Sequence, residues 1–372
     1  MRRFEANPTR SQCLTVAHKI VRQYPKTFSD AVLGVNTIGY CSLLSQLKIR
    51  IEHLNRNNTL ARRRLQSSSS RADEPERRQD SYGCTRWQPE FPPGESEETL
   101  EEKRKRLEEL FQQEGASGAD RGEVAKLMES TYCLQRRMIN ASPAPTIEEL
   151  HRKWPYLFAQ KFIYAHFELL TDNNVLRMLE LSMEECGKAI LAFFKSKPTN
   201  EEIRAVLSRG EDGEIASCVT QLLLAHFKEK DGLILQANVF ASAADVERTL
   251  ALPQSPRLII LGNGEPRGGG RWMVSMDGHV VCEGSQPTFI SGLAAVFATY
   301  YNFNYQYEEA VCTLEFIQRR FLDINPERGG SKVSRKKVTS SKTGKLVQKK
   351  PASVNPRVSS LMRKLMDFLN EI

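Results

Sequence analysis

The sequence predicts an α+β, predominantly helical protein: a helical body with a small sheet of three or four strands near the C-terminal third, flanked by a basic helical module and a basic tail. Three observations carry that prediction. From about residue 96 to residue 230, apolar residues recur every three or four positions, the period of an amphipathic helix. Beyond 230, short apolar runs bounded by Gly or Pro take over, as strands require. A chain of 372 residues with 40% apolar composition can bury the cores of two or three domains.

Leu14, Val16, Ala17, Ile20 and Val21 form a first helix. It should close at Tyr24-Pro25, because proline disfavours helical backbone in its predecessor. Leu43, Leu44, Leu47, Ile51 and Leu54 form another amphipathic helix, so residues 1–64 are expected to be a basic helical module ending in Arg62-Arg63-Arg64. Residues 65–95 lack an apolar period and are rich in Ser, Pro and alternating charge, which is a linker or extended strap. Tyr82, Trp87 and Phe91 should hold its second half, from Asp80 onward, against the body.

The body is expected to span residues 96–322. Ser96 caps a helix with Glu97 and Glu98 in its first turn, and Glu101 with Lys105 and Glu102 with Arg106 would lace its exposed face. Val124, Leu127, Met128, Thr131, Leu134 and Met138 share one face of a following helix, which Pro143 and Pro145 stop. Thr146 with Glu149 and Thr199 with Glu202 have capping-box spacing. Residues 233–235 and 257–261 read as strands. Residues 272–276 and 279–282 read as a hairpin about Asp277-Gly278, a pair that tolerates the positive φ values of a type I′ turn. Two helices follow, over 289–301 and 310–321. Some of the rings of Tyr300, Tyr301, Phe303, Tyr305 and Tyr307 are expected to pack between helix and sheet, with core packing favoured over a partner groove. Residues 323–372 should be a largely disordered tail, without period over 328–354, that ends in a short helix carrying Val358, Leu361, Met362, Leu365 and Phe368.

The net charge of +8 divides unevenly: residues 1–80 carry +8, residues 81–318 carry −10 and residues 319–372 carry +10. Attraction to phosphate or anionic surfaces belongs to the ends, since screening confines it to about 8–10 Å. Arg62, Arg63 and Arg64 at one end, and Arg335, Lys336, Lys337, Lys349 and Lys350 at the other, are the candidate nucleic-acid or nuclear-import residues; the second group has bipartite spacing. Ser67 and Thr339 follow basic clusters at basophilic-kinase spacing, where phosphate would cancel the local positive charge.

The residues offer little chemistry. Gly262 to Gly270 is Gly-rich, but Arg267 stands where a dinucleotide fingerprint needs glycine and Gly270-Arg271 where a phosphate loop needs Lys and Ser/Thr, so a hairpin connection is expected. His166 and His226, each in an Ala-His-Phe, could be drawn with Cys186 and Cys218 as a zinc site. They lack the paired-ligand spacing of structural zinc and are expected to be core or helix-surface histidines. The eight cysteines are spaced as reduced thiols. No catalytic, cofactor-binding or metal residue is assigned.

Several segments together carry a resemblance. These are Gly39-Tyr40-Cys41-Ser42-Leu43-Leu44, residues 80–89, Trp154-Pro155-Tyr156-Leu157-Phe158, residues 300–305, residues 313–321 and Ile324-Asn325-Pro326. Over roughly residues 15–325 the chain resembles the vertebrate sterile alpha motif domain-containing protein 3-like proteins, without the sterile alpha motif domain itself. The group has no established reaction or catalytic residues, so the resemblance implies a non-enzymatic domain. Longer members often carry an interaction module ahead of this region, and its lack here weighs against self-assembly.

The function expected is therefore that of a non-enzymatic intracellular interaction or adaptor protein, with an unidentified protein partner, no cofactor and no membrane span. The alternative is DNA binding through the basic ends, and the weaker one an unrecognised enzyme. The N-terminus lacks the apolar core of a secretory signal, and the nucleus is favoured over the cytoplasm by the basic clusters.

Overall fold

A computed structural model describes residues 10–28, 43, 44, 46, 47, 88–208, 214–262, 270–284, 288–325, 337–339, 346–348 and 354–371. Helix α1 (Arg10–Gln23) ends just before Pro25, which opens the short α2 (Pro25–Phe28). Cys13, Ala17 and Val21 lie on one face of α1 and are buried with Leu43 and Leu44. The expected helix through Ile51 and Leu54 and most of the strap lie outside the described residues. Where the strap enters them it touches the body: Gln88 Nε2 donates to the Cys133 carbonyl at 2.9 Å, and the Arg137 guanidinium lies 5.7 Å from the Phe91 ring centre.

A helical layer comes first, made of α3 (Glu97–Glu114), α4 (Gly122–Ser130), α5 (Tyr132–Ile139) and α6 (Ile147–Lys153), with 3-10 turns at Gly115–Asp120 and Pro155–Phe158. Its starts follow the capping rules. Ser96 and Thr99 form a reciprocal box at α3, and Thr146 and Glu149 do so at α6. The exposed face of α3 is laced differently from the expectation: Arg104 bridges Glu101 and Glu108, and Arg106 bridges Glu109 and Glu123. Leu100, Leu107, Leu110, Val124, Trp154 and Leu157 form the layer's own core.

The single helix expected over residues 124–138 is two. Thr131 breaks it, with its hydroxyl donating back to the Leu127 carbonyl at 2.7 Å, as Thr does when it competes with the helical ladder. The Met128 carbonyl is satisfied instead by Gln135 Nε2 at 2.8 Å.

The second unit of the fold surrounds one helix. α12 (Phe289–Asn302) is buried at every position but Ile290, which is half-buried, as a helix apolar on all sides must nearly be. Around it pack α7 (Gln160–Thr171), α8 (Val175–Ser196), α10 (Ile215–Phe227) and a four-stranded sheet. α9 (Glu201–Ser208) sits on α10. Its start differs from expectation, because Asn200 Oδ1 rather than Thr199 accepts from the Ile203 N–H.

The sheet order is β1-β2-β3-β4, from β1 (Ile234–Ala237), β2 (Arg257–Leu261), β3 (Trp272–Met276) and β4 (His279–Glu283). β1 and β2 are parallel and the other pairs antiparallel, with Ile260 opposite Trp272. The Gly-rich stretch therefore connects a hairpin, although residues 263–269 lie outside the described residues. Period-two alternation in β2 serves two cores: Leu258 and Ile260 face α12, while Ile259 and Leu261 face α11 (Ala243–Thr249) through Val246. Asp277 and Gly278 take φ of 52° and 81°, the turn expected there.

α13 (Val311–Phe316) runs on into a π turn at Ile317–Phe321. Its Glu315 pairs with Arg319 at 2.7 Å, both side chains nearly inaccessible, and also accepts from the Asn355 N–H. Through that contact the chain returns. The terminal helix α14 (Pro356–Glu371) buries Val358, Leu361 and Leu365 in the same core as α12, with Phe368 edge-on to Phe193. The helix expected as a short tail end is thus part of the body. Between α13 and α14, residues 337–339 and 346–348 pair as strands β5 and β6, and the rest of 326–353 lies outside the described residues.

Candidate functional site

The break at Thr131 shapes the most distinctive site. Gln135, turned inward to serve the Met128 carbonyl, also donates to Thr131 Oγ1 at 3.2 Å, so both hydrogens of its carboxamide are used on one side. Its Oε1 then faces His166 Nδ1 on α7, 3.3 Å away. An amide oxygen has no hydrogen to give, so Nδ1 carries the imidazole proton and Nε2 is left as a bare acceptor. That nitrogen is buried and has no hydrogen-bond partner among the described residues. Burial, with Arg136 close by, holds the His166 pKa well below its ordinary 6.5, so the ring is neutral.

Arg136, on the next residue, has no exposed surface. Its guanidinium donates to the Asn302 carbonyl at 2.6 Å and to the side-chain oxygens of Asn140 and Asn304 at 3.1 Å each, which joins α5 to the end of α12. Phe158 stacks on Phe303 at 5.4 Å beside it. Tyr300, Tyr301 and Tyr307 are buried in the same region, so the aromatic segment packs the core as expected.

His166 lines a cavity of about 250 Å³ between α4, α5 and α7. Met128, Tyr132 and Phe162 supply apolar wall, and Leu169 stands exposed at the edge. The Tyr132 ring meets His166 edge-on with centres 4.8 Å apart. Glu129, Glu168 and Lys161 are exposed at the rim. A second hollow of about 520 Å³ lies between α6, α11 and β4. Its Glu247 accepts the Val280 N–H at 2.7 Å and lies 3.8 Å from His279, and charges of both signs line it.

Of the residues singled out in the sequence, Arg62, Arg63, Arg64, Ser67, Arg335, Lys336, Lys349 and Lys350 lie outside the described residues. Lys337 and Thr339 are placed by backbone alone, at the two ends of β5 opposite Gln348 and Leu346. His166 and His226 lie on α7 and α10 as packed side chains; His226 sits between Phe194 and Phe227. Among the described residues, no group of three or more His, Cys, Asp or Glu is arranged to hold a metal ion. None of the helices searched there is long and apolar enough to cross a membrane. The Gln135–His166 pair was not legible in the sequence, since it depends on the helix break and on a contact 31 positions apart.

Residues 100–159, the helical layer and its link to α7, match the family model described as sterile alpha motif domain-containing protein 3, helical domain. No curated protein and no solved structure matches the chain. The chain resembles the sterile alpha motif domain-containing protein 3-like proteins, a family not known as enzymatic.

Proposed function

We propose that this chain is a non-enzymatic intracellular adaptor that is held by a protein partner. The match of residues 100–159 to a family of protein-interaction type carries this reading. The terminal helix supplies a surface for it. α14 buries one stripe in the body and turns Met366 and Leu369, 64% and 38% exposed, outward beside Arg363 and Lys364. Met is favoured at interfaces, and the basic flanks suit an acidic partner surface with an apolar ridge. Proximity labelling in cells tests the reading with the intact chain and the M366K/L369K variant. Deleting the tail would open the core, whereas these two exposed positions leave it closed. Loss of a defined set of labelled proteins by the variant, at unchanged thermal stability, is expected. An identical set from both chains refutes this surface.

The charge partition favours a second reading, in which Arg62, Arg63, Arg64, Arg335, Lys336, Lys337, Lys349 and Lys350 contact DNA phosphates and favour the nucleus. Duplex affinity measured at two salt concentrations should then fall steeply with salt, and phosphate on Ser67 or Thr339 should lower it further. The adaptor reading predicts no binding at either concentration.

A further inference from the structure

We propose that the cavity between α4, α5 and α7 is a binding site for a small, uncharged, mostly apolar molecule bearing one hydroxyl or N–H donor, which His166 Nε2 accepts. The inference does not rest on the adaptor reading.

Its first support is the tautomer. Gln135 fixes the proton on Nδ1, and Nε2 is a buried acceptor with no hydrogen-bond partner among the described residues, at a position where the great majority of such atoms are satisfied. The second is electrostatic. The Arg136 charge next to the ring disfavours a cation at Nε2, the bare Nε2 lone pair repels an anion, and the rim carries both signs, Glu129 and Glu168 with Lys161, so it selects for neither ion. What remains is a neutral occupant. The third is size. A dry cavity of about 150 Å³ holds benzene and drug-sized pockets begin near 300 Å³, so about 250 Å³ fits one ring with small substituents. Met128, Phe162 and Leu169 match its apolar body. Nε2 lies beneath the lining with the Tyr132 ring packed edge-on against His166, so the proposed binding requires that ring to turn aside.

The test titrates the full chain, labelled with 15N at its six histidines, with p-cresol and in parallel with 4-methylanisole, the same ring without the donor hydrogen. Saturable p-cresol binding with a shift of one bare imidazole nitrogen toward the hydrogen-bonded range is expected, and 4-methylanisole should bind at least about tenfold more weakly. The shifted signal should be the one missing from H166Q. Should H166Q fail to fold, A165L decides: Ala165 is exposed on α7 and lines the cavity, so the larger side chain should block p-cresol without lowering the unfolding midpoint. Absence of saturable binding up to the solubility limit, equal affinity for the two probes, or unchanged binding to folded A165L would overturn the proposal.

Discussion

Arg136 ties the family-matched layer to the helix at the centre of the body, and it does so with no surface in contact with water. A buried guanidinium is tolerated only while its N–H groups meet acceptors, here the Asn302 carbonyl and the Asn140 and Asn304 side chains. R136L removes the donor and leaves that carbonyl buried without it, so a loss of about 1–3 kcal/mol in urea unfolding is expected. R136K keeps the charge without the planar fork and should still lose most of it. A variant of wild-type stability would mean the two units are not joined here. His226 makes a pH prediction at the same scale. Burial first, then Lys364 and Arg357, bring its pKa from 6.5 down to about 4. Between those values the unfolded chain binds a proton that the folded chain does not, so stability is level above about 6.5 and declines as the pH falls toward about 4. Denaturation curves across that range should show a shallower decline for H226L; an unchanged slope would remove His226 from the account.

At the scale of elements, α12 shows how packing overrules propensity. Alanine in place of Gly292 would favour the helix by about 1 kcal/mol. A Cβ at that position, however, would lie 2.7 Å from Leu258 Cδ1 and 3.0 Å from the Trp272 ring, whose Nε1 is tied to Ser291 Oγ. The leucine end can move but the indole cannot, and overpacking of this kind costs about 1–3 kcal/mol. G292A should therefore be destabilised by about 1–2 kcal/mol in urea unfolding, and a stabilised variant would contradict the close fit of α12 on β3. Elements with a local signal were legible in the sequence: the cap at Ser96, the capping box at Thr146, the Asp277-Gly278 turn and the strands as short apolar runs between Gly and Pro. The division at Thr131 and the cap at Asn200 were not, because each turns on which of two neighbouring side chains wins a backbone group. The docking of α14 was hidden for another reason. Its apolar stripe reads the same whether it faces solvent, a partner or its own chain, and only Phe193 and Glu315, far away in sequence, decide it.

For the molecule as a whole, an acidic middle of −10 lies between ends of +8 and +10, and the chain folds back so that α14, from the basic end, packs into the core of the acidic middle. What that arrangement leaves outward on α14 is a short apolar edge framed by Arg363 and Lys364, and the central claim is that a partner protein sits there. A photoreactive amino acid at position 366 tests it most directly, against the same group at Arg204, an exposed position on α9 remote from that edge in sequence. Irradiation in cells should give discrete protein adducts from position 366 that disappear with L369K, and none of those adducts from position 204. The same adducts from both positions, or no adduct from 366, would contradict it.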